Sequence, residues 1–164
     1  SPFKKGRIIG NKKESKQISF NTMTANRKTL LNIVAVFAVL VAALHLTALA
    51  FALYWRFWWF DMLTHFVGGV FVSTLLPWFF YWSGYTRLSV PSPRVLFLCM
   101  VGGTFLVGVG WEVFERLLGF SWSPEGYWQD TVTDVCMALV GAVVSAFVFN
   151  AQLSRLSFPP QTSI

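Results

Sequence analysis

Long apolar stretches separated by short polar segments dominate this chain. Four of them run roughly from Leu30 to Leu53, Met62 to Trp82, Val95 to Leu118 and Val132 to Phe149, and the fourth is the shortest. Each approaches the roughly 20 residues that a helix needs to cross about 30 Å of hydrocarbon. No alternating strand pattern is present, and helices satisfy their own backbone groups in lipid. The pattern predicts an all-α, polytopic membrane protein, a four-transmembrane-helix bundle.

Composition agrees with this class of protein. Hydrophobic residues make up 55% of the chain and charged residues only 12%. Such a balance is typical of an integral membrane protein and argues against a soluble domain. We therefore expect a multi-pass protein of the cell inner (plasma) membrane, in contact with membrane lipid.

The basic residues predict the orientation of the helices. Eight of the thirteen Lys and Arg residues precede the first helix. Arg87 and Arg94 flank the loop between the second and third helices, and Arg155 follows the fourth. Because short basic loops stay on the cytoplasmic side, both termini are predicted to face the cytoplasm (N-in/C-in). Only Arg56 and Arg116 fall on the exofacial side.

Most of the net charge of +6 lies in residues 1–22. We predict that this stretch is a disordered basic tail near anionic lipid headgroups, and expect no nucleic-acid partner. Met23 begins a segment typical of a translational start, so residues 1–22 are alternatively an upstream extension or an artificial addition. The four-helix membrane domain is then assigned to residues 23–150 and a cytoplasmic C-terminal tail to 151–164.

Acidic residues near the helix ends carry the main functional signal. They form three pairs with helical spacing: Asp61 with His65, Glu112 with Glu115, and Asp130 with Asp134. Residues three or four apart share one helix face. Since the third helix runs outward and the second and fourth run inward, all three pairs reach the same exofacial level. Acids inside hydrocarbon are costly, so their grouping predicts a functional site.

These residue types suit a divalent metal. Several carboxylates in a low-dielectric site cannot all stay ionised, so they share protons or a cation neutralises them. Oxygen ligands with one imidazole fit Mg, Mn, Fe or Zn. The candidate ligands are Asp61, His65, Glu112, Glu115, Asp130 and Asp134. His45 is alternatively a second imidazole ligand or a hydrogen-bonded core residue, and Asp61 and Asp130 could simply cap their helices.

Three segments carry a family resemblance: Asp61 to Gly69, Trp111 to Glu115, and Tyr127 to Asp134, with Gly141 following. In this order they resemble the motifs of VanZ-like proteins and related small uncharacterised bacterial inner-membrane proteins, over about residues 55–146. Many relatives have Asn or Asp where this chain has Ala138. The resemblance implies the topology, the positions of the site and a role in the cell envelope, without an assigned reaction.

Three function classes follow. The first is a metal-dependent hydrolase or transferase of a phosphate-bearing lipid or lipid-linked envelope precursor, with His65 or Glu112 as general base and Arg56 and Arg116 binding the anionic headgroup. The second is a non-catalytic envelope protein whose polar cluster holds the bundle or binds a membrane protein partner. The third is a cation or proton transporter, against which the cytoplasmic half of the helices has no comparable acids.

Overall fold

The computed structural model describes residues 3–86, 88–119 and 126–157, and this part of the chain is helical without strands. The helices are α1 (Phe3–Phe51), the single turn α2 (Leu53–Arg56), α3 (Trp58–Pro77), α4 (Pro93–Leu118) and α5 (Tyr127–Ser157), and a π-helical turn, Trp78–Trp82, directly continues α3. Within these described ranges, four segments are long and apolar enough to cross a membrane. The predicted all-α fold with four transmembrane helices is confirmed.

The four membrane-spanning segments are of nearly equal length. They cover Arg27–Phe51, Trp58–Trp82, Pro93–Leu118 and Trp128–Leu153. The prediction that the fourth is the shortest is wrong, since it has 26 residues. The apolar stretch begins only at Val132 because Asp130 and its neighbours are polar, although they form the first turn of the helix.

The first and last helices extend beyond the predicted membrane domain. α1 begins at Phe3, and the assignment of residues 1–22 to a disordered basic tail stays a prediction. The stretch contains several good helix formers and no proline after Pro2, and extending an existing helix avoids the cost of a new nucleus. In the same way α5 continues to Ser157, inside the segment assigned to a C-terminal tail.

Helix α3 occupies the centre of the fold. It packs against α1, α4 and α5, and α4 also packs against α5. Within the described part of the chain, α1 makes close backbone contacts with α2, α3 and the π-helical turn, but none with α4 or α5. The protein therefore has a three-helix core of α3, α4 and α5, with α1 attached to one side of α3.

Small residues bring the core helices together. A Cβ built on Gly69 would collide with the Ala138 carbonyl group of α5, and one on Gly141 would collide with the Phe66 carbonyl group of α3. A Cβ on Gly103 would meet the side chain of Leu76. By contrast, a Cβ on Gly68, Gly102 or Gly110 would meet open space, so these glycines make no such close contact.

Helix α4 has clear start and stop signals that fix where its acidic end lies. Pro93 is its first residue, a position where a missing N–H costs nothing. Gly119 ends it in the left-handed conformation, with φ 75°, and donates its N–H to the Arg116 carbonyl at 3.1 Å. These boundaries place Glu112 and Glu115 in the last two turns of the helix.

Candidate functional site

His65 lies at the centre of a cluster of carboxylates from three helices. Its Nε2 atom is 3.5 Å from Oδ1 of Asp61, one turn earlier on α3. The same atom is 4.0 Å from Oε1 of Glu112 on α4 and 3.8 Å from Oδ2 of Asp134 on α5. One imidazole nitrogen therefore faces carboxylate oxygens from every helix of the core.

The helix packing explains why these side chains meet. Gly69 is one turn after His65 on α3, and Ala138 is one turn after Asp134 on α5. Residues four apart share a helix face. Because the backbones of α3 and α5 touch where Gly69 packs against Ala138, the side chains one turn closer to the predicted exofacial surface are held together.

Burial differs sharply within the cluster. Asp134 is only 3% exposed and Glu112 only 7%, although both carry ionisable carboxyl groups. Asp61, His65 and Glu115 are partly buried, whereas Asp130 is exposed. A buried carboxylate without compensation is expensive, so the two deepest acids require either protons or a cation.

The donor atoms are arranged closely enough for a metal ion. Two groups have their donor atoms within 4.8 Å of one another: Asp61 with His65 and Asp134, and His65 with Glu112 and Glu115. In addition, Oε1 of Glu112 is buried and has no hydrogen-bond partner among the described residues. The mixture of carboxylate oxygen and imidazole nitrogen fits a divalent cation such as Zn, Mn, Fe or Mg.

A cavity of about 310 Å³ opens beside the first of these groups. Its acidic wall consists of Asp61, Asp130 and Asp134, and its other walls include Trp58, Met62, Gly126, Gln129 and Thr133. His65 and the two glutamates of α4 do not line it. A cation held by Asp61, His65 and Asp134 would therefore have protein on one side and a cavity on the other.

The remaining predicted site residues lie outside the two donor groups around His65. They are Asp130, Arg56 and Arg116. Asp130 lines the cavity but belongs to neither donor group around His65. Arg56 and Arg116 are exposed, in α2 and in the last turn of α4, and neither lines the cavity. Their role in binding a headgroup stays a prediction.

Helix capping does not account for Asp61. The N-cap residue of α3 is Phe57, and no side chain caps this end. Asp61 is the fourth residue of the helix, and its Oδ1 atom lies 3.5 Å from Nε2 of His65, one turn later. Asp61 is therefore not the N-cap residue, but Asp61 and Asp130 do lie in the first turns of α3 and α5, where a carboxylate interacts favourably with the helix dipole.

His45 has a hydrogen-bonding partner outside the carboxylate cluster. Its Nδ1 atom is 2.9 Å from the hydroxyl of Tyr54, which lies in the connection between α1 and α3. Ala52, two residues before Tyr54, has a left-handed backbone with φ 54°, and this turn directs α2 back toward α1. Of the two readings offered by the sequence, the hydrogen-bonded one describes His45 in this structure.

Tyr54 links this connection to the acidic cluster electrostatically. The pKa of Tyr54 is raised to about 12, mainly by partial burial and also by the negative charges of Asp61 and Glu115, while a hydrogen bond with Thr64 acts in the opposite direction. Tyr54 is absent from the predicted site because it stands in a run of aromatic residues typical of a membrane interface. Its position nine residues after His45 gives no periodic signal, since a turn separates them.

The predicted site also lacked further residues of the cavity wall, among them Trp58, Gln129 and Thr133. Gln129 and Thr133 do have a sequence signal. They lie four apart and directly precede Asp130 and Asp134, so they share a helix face that adjoins the acidic pair.

Comparison with known proteins places the chain in a family. A family model described as "Predicted membrane protein (DUF2238)" matches residues 19–155. The chain belongs to this family. The DUF2238 description names a membrane protein and no activity, which agrees with the predicted resemblance to small uncharacterised membrane proteins. No curated protein and no solved structure matches the chain.

Proposed function

We propose that this DUF2238 protein is a metal-dependent membrane enzyme that hydrolyses or transfers the phosphate-bearing headgroup of a lipid or lipid-linked precursor. The observation that carries the proposal is the position of His65 Nε2 within 4.0 Å of carboxylate oxygens from three helices. Beside this cluster lies a cavity of about 310 Å³, near the lower end of the range of roughly 300–1,000 Å³ for ligand pockets.

Asp61, His65 and Asp134 are the proposed metal ligands. Three protein ligands with a fourth position toward solvent or substrate are typical of catalytic zinc sites, and carboxylates also suit Mg and Mn. Two of the three, Asp61 and Asp134, line the cavity, so a substrate there would adjoin the cation. A bound cation would polarise a phosphoryl oxygen and lower the charge repulsion among the acids.

Glu112 is the proposed general base. Its Oε1 atom is buried, has no hydrogen-bond partner among the described residues and lies 4.0 Å from His65 Nε2. In a hydrolysis, Glu112 takes a proton from the water that attacks phosphorus, the P–O bond to the leaving group breaks, and the leaving oxygen gains a proton. Arg56 and Arg116 would attract the anionic headgroup at the same end of the protein.

A purely structural role for the cluster has less support. The contacts at Gly69 and Gly141 already hold α3 and α5 together through backbone packing. This packing does not need buried carboxylates. Their like charges repel one another and oppose the packing unless the charges are neutralised. The acids are therefore better explained by a ligand than by bundle assembly.

A transport route also has less support. In the half of the helices away from the cluster, hydroxyl groups donate to their own helix backbone, as Ser73 does to Val70 at 3.0 Å and Thr104 to Met100 at 2.8 Å. No Asp or Glu occurs between residues 62 and 111 or between 135 and 164. A chain of titratable groups across the membrane is thus not provided by these helices.

The site of action in this proposal is the cell envelope. The motif order around Asp61, Glu112 and Asp134 resembles that of VanZ-like proteins, and the basic segments favour the exofacial side for the cluster. This assignment rests on the resemblance and on charge asymmetry.

The experiment is a phosphate-release assay with the purified protein in mixed micelles of phosphatidic acid, with Mg, Mn or Zn added separately. We expect metal-dependent release by the wild type and loss of release in Asp134→Asn. Glu112→Gln should abolish release while keeping bound metal, since it removes only the proton acceptor.

Glu115→Gln is the matched control, because it makes the same change one turn later on the same helix, at a residue that the proposal uses neither as a metal ligand nor as the base. It should keep most of the release. Loss of both metal and release in Glu115→Gln would instead place the cation between His65 and the α4 glutamates. Metal-independent release, or none with any of the three ions, would contradict the proposed reaction.

A further inference from the structure

A second cavity lies away from the acidic cluster, between α1 and α5 on the surface of α3. Its volume is about 390 Å³, within the usual range for ligand pockets. It exists because α1 and α5 both pack against α3 but, in the described residues, have no close backbone contact with each other. We call the space between them the α1–α5 groove.

The walls of the α1–α5 groove are apolar over most of their length. They include Ile33 and Phe37 of α1, Phe66 and Val70 of α3, and Val144 and Val148 of α5. Along α3 and its π-helical turn the lining extends from Phe66 to Trp82, about 24 Å at about 1.5 Å per residue. The groove therefore follows most of the roughly 30 Å hydrocarbon thickness.

The polar atoms in the middle of the groove are already paired. Thr74 donates its hydroxyl to the Val70 carbonyl and lies 3.3 Å from the Ser145 hydroxyl. Polar ligand groups therefore have no evident partner at mid-depth. A long, flexible and apolar occupant fits this interior better than a polar small molecule.

The predicted cytoplasmic end of the groove is different, because it is cationic. Thr29 and Gln152 line this end, and Arg27 and Lys28 directly precede Thr29 on α1. A Cβ built on Gly84 would lie 3.6 Å from Nη1 of Arg27, so this guanidinium reaches from α1 to the chain just beyond the π-helical turn. Both cations are exposed, and no carboxylate of the described side chains pairs with either.

From this combination we infer that the α1–α5 groove binds an anionic phospholipid, with an acyl chain along α3 and its headgroup at Arg27 and Lys28. The apolar walls suit burial of the lipid acyl chain, and the two cations attract the negatively charged phosphate of the headgroup. The inference does not rest on the proposed enzyme activity, since the groove contains none of the carboxylates of the cluster.

The test is native mass spectrometry of the delipidated, detergent-purified full chain titrated with phosphatidylglycerol or phosphatidylcholine. We expect the wild type to bind phosphatidylglycerol more tightly. The double variant Arg27→Gln, Lys28→Gln should weaken phosphatidylglycerol binding roughly tenfold or more, since each cation near a lipid surface contributes substantially. Arg94→Gln, an exposed cation outside the groove lining, should leave binding unchanged.

The groove itself is tested by a matched pair on α5. Val144 lines the groove and is 47% exposed, whereas Val140, one turn earlier, is 48% exposed and does not line it. Val144→Phe should fill the groove and reduce lipid binding several-fold, and Val140→Phe should not. Equal binding of both lipids in all variants, or a dimer of the chain that excludes lipid from the groove, would overturn the inference.

Discussion

Gly69 of α3 packs directly against the Ala138 carbonyl group of α5, and a Cβ on Gly69 would lie 2.7 Å from the Ala138 carbonyl carbon. This contact lies one turn below His65 and Asp134, whose facing atoms are 3.8 Å apart. The close packing of α3 against α5 therefore also brings together the side chains of the candidate site.

Replacing Gly69 with alanine should separate α3 from α5. Because the clash involves backbone atoms, which cannot rotate away, we expect a loss of about 1–3 kcal/mol in unfolding free energy, typical of overpacking. Thermal unfolding in detergent measures the change. The neighbouring variant Gly68→Ala is the control, since its Cβ meets open space, and helix propensity predicts a neutral or slightly stabilising effect. Equal destabilisation by both changes would contradict the packing account.

The hydrogen bond between His45 and Tyr54 should stabilise the connection from α1 to α3. Tyr54→Phe removes a hydroxyl that lies 2.9 Å from His45 Nδ1, and we expect a cost of about 1 kcal/mol. Tyr85→Phe is the comparison, because the Tyr85 side chain is exposed. If unfolding measurements gave the two variants the same stability, the bond would be energetically unimportant.

Alkaline pH should test the burial of the Tyr54 hydroxyl. Since burial raises the pKa of Tyr54 from 10.0 to about 12, the unfolded chain loses this proton before the folded chain does. The folded state then binds more protons between pH 10 and 12, so stability contributed by this residue is complete below pH 10 and falls across that interval. Thermal midpoints should fall less steeply there in Tyr54→Phe than in the wild type. Identical slopes would show that the hydroxyl is solvated.

The packing of α4 offers a separate test of the core. Leu96 is 0% exposed and lies in a buried cluster with Met100 and Ala146, whereas Leu98 is 67% exposed. Leu96→Ala should cost about 2–5 kcal/mol because it leaves a cavity, and Leu98→Ala should cost much less. Unfolding measurements that reversed this order would show that α4 is rotated about its axis.

The sequence predicted the transmembrane helices well because apolar length is a direct consequence of membrane thickness. It predicted helix ends less well, since Asp130 lowers the hydropathy of a turn that is helical. It also predicted that three acidic pairs reach one level, because rise per residue and alternating direction determine depth. Depth could be read from the sequence without knowledge of which helices touch.

Rotation and pairing of the helices could not be read in the same way. The residue type alone does not distinguish Gly69, which faces a helix, from Gly68, whose Cβ position meets open space. The sequence predicted equal roles for Asp130 and Asp134, although only Asp134 is directed into the cluster. The role of Tyr54 depends on the left-handed backbone at Ala52. Alanine rarely adopts this conformation, so the sequence does not predict a turn there.

The central claim is that Asp61, His65 and Asp134 hold a divalent metal ion, and metal content tests it most directly. The measurement is elemental analysis of protein purified without chelators: wild type, the Asp61→Asn, Asp134→Asn double variant, and Asp130→Asn as a control that removes a neighbouring charge. We predict stoichiometric metal in the wild type and the control and its loss in the double variant. Absence of metal from all three proteins, or full retention in the double variant, would contradict the claim.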